Sequence, residues 1–221
     1  MFHSAKIRLL VLLALLLSTP LAIAQGPTFP TVVFTQEWWS LNPPQYKIRV
    51  NKIGNARYDS MPNSSQQSGD PYTLEFNISN ATRDKIFNAL QALNFFVNSI
   101  DDVVPGDSGS HTLVYAYMDT MNSASYHGTS NKLAQQLTTL FQGISKTLES
   151  ARRIDKAHQT KDPALGDEIK SMLARAKAGE LVELQLAVPV LQSITSDNSV
   201  SADVRSQAQA VLKLATAAAP V

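Results

Sequence analysis

Few residues of this chain have the type and spacing that chemistry requires. Ser108, in the run Gly106-Asp107-Ser108-Gly109-Ser110, offers a nucleophile, which would need an imidazole within hydrogen-bond reach and an acid to orient that imidazole. His3 is the only histidine before it and falls in a segment read below as removed; His111, His127 and His158 follow. His158 closes the run Asp155-Lys-Ala-His158, fifty positions after Ser108. The interval reads as one hairpin and one long helix, so a Gly/Asp/Ser turn before a strand is the preferred account of the serine. No two histidines stand in a metal-ligand spacing, although strand pairing could bring His111 and His127 to one hairpin. Asp101, Asp102 and Asp107 lack the alternating ligands of a calcium loop and read as turn acids. Without a ligand cluster or a phosphate-cradling glycine loop, no metal and no cofactor is expected.

The run Gly106 to Ser110 resembles the G-D-S-G around the nucleophile of trypsin-like proteases. In that family the catalytic His and Asp precede the Ser, an order this chain does not have. It also resembles the G-D-S block of esterases that later use D-x-x-H. That family places its Ser after the first strand of a parallel α/β sheet, with several βα units before the His. A serine hydrolase using Ser108 with His158 or His127 is therefore the alternative reading. The aromatic residues Trp38, Trp39, Tyr115 and Tyr117 are the candidate interaction surface. Neighbours on a strand face opposite ways, so one indole of the Trp pair would be core and the other at the surface, while Tyr115 and Tyr117 share a face.

The elements that must position these residues follow from periodicity. Val33 and Phe34 lie in a first strand running toward Trp38 and Trp39, before Asn42-Pro43-Pro44 breaks the chain. Tyr46, Ile48 and Val50 alternate with Lys47, Arg49 and Asn51, and Gly54-Asn55 turns the chain into Ala56-Arg57-Tyr58. Tyr72, Leu74, Phe76 and Ile78 alternate again after a polar loop. Asn80 is placed to cap a helix carrying Ile86, Leu90 and Leu93, and Thr112 to Met118 returns to strand with a hairpin through Asp119 to Asn122. Leu133, Leu137, Leu140, Phe141, Ile144 and Leu148 then form one helical stripe starting at Ser130 or Asn131. The expected fold is α+β, an antiparallel sheet of five or six strands with two helices on one face. Residues 149–161 read as a charged helical extension or a linker. The remainder, 162–221, reads as a small all-helical lobe, opened by Asp162-Pro163, stopped once by Gly179 and kinked at Pro189.

The first 24 residues have the three zones of a cleavable signal: Lys6 and Arg8, an apolar run from Leu9 to Leu17, and Ala22-Ile23-Ala24 before the cut. The run is too short to span a bilayer, so no membrane anchor is expected after cleavage. Removal of the signal takes away two basic residues and no acid, turning the net charge of +1 into −1. Such a balance offers nucleic acid and anionic membranes little attraction. The chain has no cysteine, so neither disulfides nor thiolate sites hold it together, and residues 25–148 must build a core by burial.

The stretch Tyr46 to Tyr58, with a later strand, a helix and Phe95-Phe96, resembles a family of exported bacterial domains of unknown function over about residues 36–148. Those domains commonly carry cysteines just before the Tyr strand, where this chain has Ser40 and Asn42-Pro43-Pro44, so no role of those thiols carries over. Residues 187–215 are similar to a single HEAT-type hairpin, with Pro189, Asp197, Val204 and Arg205 at the matching positions; one copy does not make a solenoid. Together these readings imply an exported, periplasmic or extracellular, non-catalytic protein that meets another envelope or secreted protein.

Overall fold

A computed structural model describes residues 26–61, 71–103 and 109–217. The signal-like segment and the first three residues of the run Gly106 to Ser110, Ser108 among them, lie outside the described residues. Six strands, β1 (Thr31–Glu37), β2 (Gln45–Asn51), β3 (Asn55–Met61), β4 (Tyr72–Asn77), β5 (Ser110–Tyr117) and β6 (Thr120–Tyr126), form one antiparallel sheet in the order β4-β3-β2-β1-β5-β6. The chain is α+β, as its periodicities require. Tight turns join β2 to β3 at Gly54, whose φ of +98° suits glycine, and β5 to β6 at Met118.

Each strand turns alternate residues to opposite faces. The outer face carries Lys47, Arg49, Arg57, Asp59 and Glu75, with Arg57 paired to Asp59 at 3.0 Å and to Glu75 at 3.7 Å. The inner face buries Val32, Phe34, Ile48, Val50, Tyr58 and Leu113. Two helices cover it: α1 (Asn80–Ala92) with Ile86, Phe87 and Leu90, and α2 (Lys132–Gln159) with Leu137, Phe141, Ile144 and Leu148. Ser79 caps α1, its hydroxyl accepting from the Thr82 N–H, while the expected cap Asn80 is the first helical residue. Asn131 caps α2 through its side-chain oxygen.

With 28 residues, α2 is about 42 Å long at ~1.5 Å per residue and belongs to two cores. The charged segment 149–161, expected as an extension or a linker, is mostly its second half. Ile154 and Ala157 point into a helical lobe formed with α3 (Leu165–Lys177), α4 (Val188–Ser196) and α5 (Ala202–Ala217). Two boundaries differ from expectation. Asp162 lies before α3, accepting the Ala164 N–H on its side chain and the Leu165 N–H on its carbonyl. Pro189 kinks nothing, because the chain passes from Gly179 (φ +71°) through a 3₁₀ turn at Leu184–Ala187 and α4 begins at Val188. Proline is accommodated in a first turn, where its missing N–H has no partner to lose. Among the described residues no helix is long and apolar enough to cross a membrane.

Candidate functional site

One row of the sheet is polar where its neighbours are apolar. The strand registers set Tyr72, Ser60, Tyr46, Gln36, His111 and Tyr126 side by side across all six strands. All face inward, and all but the half-buried Tyr72 are buried. The helix above supplies a matching line, since Thr138, Gln142, Ser145, Glu149 and Arg152 recur at steps of four and three and so share one face of α2. The two lines meet as a seam of hydrogen bonds inside an otherwise apolar core.

At one end Tyr126 and Thr138 lie 2.7 Å apart; Thr138 donates to the Ala134 carbonyl, so the Tyr126 hydroxyl is the donor between them. In the middle, Gln36 Oε1 accepts from the Tyr46 hydroxyl at 2.9 Å and from Gln142 Nε2 at 3.0 Å. Gln142 Nε2 also stands 3.4 Å from His111 Nε2. Further on, Glu149 Oε1 accepts from the hydroxyls of Tyr58 at 2.8 Å and Ser60 at 3.0 Å. Because the single Tyr58 proton goes to Glu149, Ser145, 3.1 Å away, donates to Tyr58. Arg152 closes the row, 3.8 Å from Glu149 Oε2 and stacked 4.6 Å above the Tyr72 ring. Burial pushes the Tyr46 and Tyr58 phenols far above their ordinary range, and the adjoining Glu149 charge pushes Tyr58 further. Burial pulls His111 below its ordinary value.

The seam opens into a cleft of about 350 Å³ between the β1–β2 loop, α2 and α3. Its floor is Gln36, Tyr46, Gln142 and Ser145; its far rim is Lys146, Arg153 and Arg175; its near wall is Trp38, Leu41 and Pro43. The loop is held by the Trp38 N–H on the Pro44 carbonyl at 2.7 Å and the Leu41 N–H on the Trp38 carbonyl at 2.9 Å. Gly109, at φ +67°, leaves room for it: a Cβ there would come within 2.5 Å of the Glu37 carbonyl oxygen and 2.6 Å of Trp38 Cβ. A wider groove of about 1140 Å³ runs between α1 and α2, lined by Lys85, Asn88, Leu133, Gln136 and Leu140 among others. The cleft is the stronger candidate despite its smaller size, because several buried polar groups converge there.

The four aromatic residues expected to form one surface are divided by the sheet. β1 ends at Glu37, so Trp38 and Trp39 lie in the loop beyond it and strand alternation does not govern them. Trp38 is partly buried in the cleft wall, and Trp39 is 74 % exposed. Glu37 pairs with Ser110 and Thr31 with Ala116, which puts Tyr115 and Tyr117 at the opposite end of β5. Tyr115 is core, its ring 4.6 Å from that of Phe95, and Tyr117 packs half-buried against the same core.

The histidines are likewise separated. His158, in the helical lobe, meets Asp197 at 2.9 Å; the Ser199 side chain and His158 together hold that carboxyl down to about 2. His127, just past β6, has its N–H on Asp102 Oδ1 at 2.8 Å and its Nδ1 3.2 Å from Oδ2. Asp101 accepts from Thr129 and Ser130 as a turn acid. Among the described residues no group of three His, Cys, Asp or Glu side chains could hold a metal ion.

The seam escaped sequence reading, although its signal was present. Gln36, Ser60 and His111 occupy inward positions of strands whose other inward residues are apolar, and the 4-3-4-3 polar line on α2 runs beside the apolar stripe. The chain matches no protein-family model and no curated protein.

Proposed function

We propose that the chain is an exported, non-catalytic module that binds another secreted or envelope protein through the loop joining β1 to β2. One observation carries this reading: Trp39, among the largest side chains available, is 74 % exposed at the tip of a loop whose backbone is pinned on both sides. Fixed, solvent-facing tryptophans have the area and rigidity that anchor interfaces. Leu41 beside it is 38 % exposed and extends the apolar patch. The three-zone amino end supports export. A photo-cross-linking amino acid at position 39, expressed in the host, is expected to give one discrete adduct, whereas the same probe at Ile53, exposed at the far end of the sheet, gives none. No adduct from position 39, or the same adducts from both, would sink the proposal.

The alternative is a serine hydrolase using Ser108 with His127 or His158, and the Asp102–His127 pair favours it by supplying a base held by an acid. On that reading Ser108→Ala and His127→Ala each abolish hydrolysis of a p-nitrophenyl ester. Turnover that is absent, or unchanged in both variants, removes it.

A further inference from the structure

The cleft behind Trp38 has two chemical halves, and from them we infer a ligand class: a small monocarboxylic acid with an apolar body. Its volume of about 350 Å³ falls within the ~300–1,000 Å³ typical of small-molecule sites, and it lies between two lobes, where such sites concentrate. Trp38, Leu41 and Pro43 form one wall, suited to a flat or aliphatic group. The opposite rim carries Arg153 from α2 and Arg175 from α3, and it is their geometry that selects the anion.

Each guanidinium is held by a carboxylate through Nε. Arg153 Nε lies 3.0 Å from Glu168, and Arg175 Nε lies 3.5 Å from Glu180. The terminal amino groups are turned toward one another instead. Arg153 Nη2 and Arg175 Nη1 reach the same atom, Ser150 Oγ, at 3.4 and 3.3 Å. Two guanidinium ends therefore stand no more than about 7 Å apart, the sum of those distances, on a serine that is itself buried. A guanidinium has five N–H donors in a planar fork, and one hydroxyl oxygen occupies only part of that capacity. A carboxylate set between the two ends would take the remaining donors in charge-assisted bonds.

The charge balance points to a single negative charge. Lys146, Arg153 and Arg175 line the cleft, and Glu168 and Glu180 answer two of the three. The acid that itself lines the cleft, Glu149, is satisfied from the seam side by Tyr58, Ser60 and Arg152. One positive charge is left over, enough for a monocarboxylate and less than a phosphate dianion calls for.

The two tryptophans of the chain both belong to this corner, so intrinsic emission reports on it. In a Trp39→Phe background, phenylacetate is expected to change Trp38 emission saturably. Phenylacetamide, its neutral isostere, should bind at least roughly tenfold more weakly, as loss of a hydrogen-bonded charge implies. Arg153→Gln and Arg175→Gln should each weaken phenylacetate by about the same factor, with circular dichroism confirming that each folds. The acid–amide comparison needs no Arg variant and so survives if those fail to fold. An absent or unsaturable response to phenylacetate, equal binding of the amide, or full affinity in both folded Gln variants would overturn the inference. None of these results bears on cross-linking from position 39, so the two proposals fail separately.

Discussion

Glu149 and His111 show what a buried polar seam demands of single residues. Glu149 keeps a carboxylate inside the core because two hydroxyls and Arg152 surround it, in keeping with the rule that buried charges persist only when hydrogen-bonded or paired. His111 is less well provided for. It is 6 % exposed and flanked by Phe34 at 6.0 Å and Tyr126 at 5.6 Å between ring centroids, and the backbone at His127 and Tyr126 offsets only part of the effect of its burial. Burial favours its neutral form, so the folded state takes up a proton at lower pH than the unfolded chain, whose His titrates near ~6.5. Between those two values the unfolded state binds more protons, and stability rises with pH. The His111 contribution is thus complete above about pH 6.5 and declines below it. Urea midpoints measured from pH 7.5 down to 5 should fall more steeply for the natural chain than for His111→Gln. Parallel curves would assign the pH dependence to another group.

At the scale of elements, the decisive contact is between α2 and the strap that follows α3. Gly143 in α2 lets residues 180–182 lie against the helix, and the Val182 N–H donates to the Gly143 carbonyl at 3.3 Å. Thr147 donates to the Val182 carbonyl at 2.7 Å one turn further on. A Cβ on residue 143 would overlap Val182 Cγ2 and stand 3.3 Å from the Glu180 carbonyl oxygen. Helix propensity alone would make Gly143→Ala stabilising by about 1 kcal/mol. Overpacking should reverse that sign, for a net loss of roughly 1–3 kcal/mol in chemical denaturation. Adding Val182→Ala removes the opposing methyls, so the double variant should recover most of the loss, a coupling that independent sites would not show.

For the molecule as a whole, the question is whether sheet and helical lobes unfold together. α2 is shared by both cores, and a second tie comes from Glu183, itself 6 % exposed at φ +61°. Its carboxylate accepts from the Ser79 N–H at 2.8 Å and the Ser79 hydroxyl at 2.7 Å, which brings a negative charge to the amino end of α1. Gln185 also donates to it. Tryptophan emission reports the sheet lobe and far-ultraviolet circular dichroism is weighted toward the helices, so the two should give one coincident transition. Glu183→Ala removes the tie without touching either core and should separate the midpoints. Coincident transitions in the variant would mean that α2 alone couples the lobes.

Period-two and helical stripes determined the strand and helix inventory, the antiparallel arrangement and the wet outer face, because apolar side chains at a fixed period have one way to be buried together. Local chemistry likewise fixed the Gly54 turn and the stop at Gly179, and narrowed the α2 cap to Ser130 or Asn131, of which the structure uses Asn131. Other features depended on partners far apart in the chain. No local signal says that Gln36, Ser60 and His111 fall in one row, since that follows from five strand registers. Nor does any say that Arg153 and Arg175 meet over Ser150, which requires α2 to continue into the helical lobe instead of ending as a linker. The sequence paired Trp38 and Trp39 with Tyr115 and Tyr117 by type, and the antiparallel register of β1 and β5 set them at opposite ends of the sheet. Burial of a stripe is a property of one segment, whereas convergence of polar groups belongs to several, and only the tertiary structure could decide it.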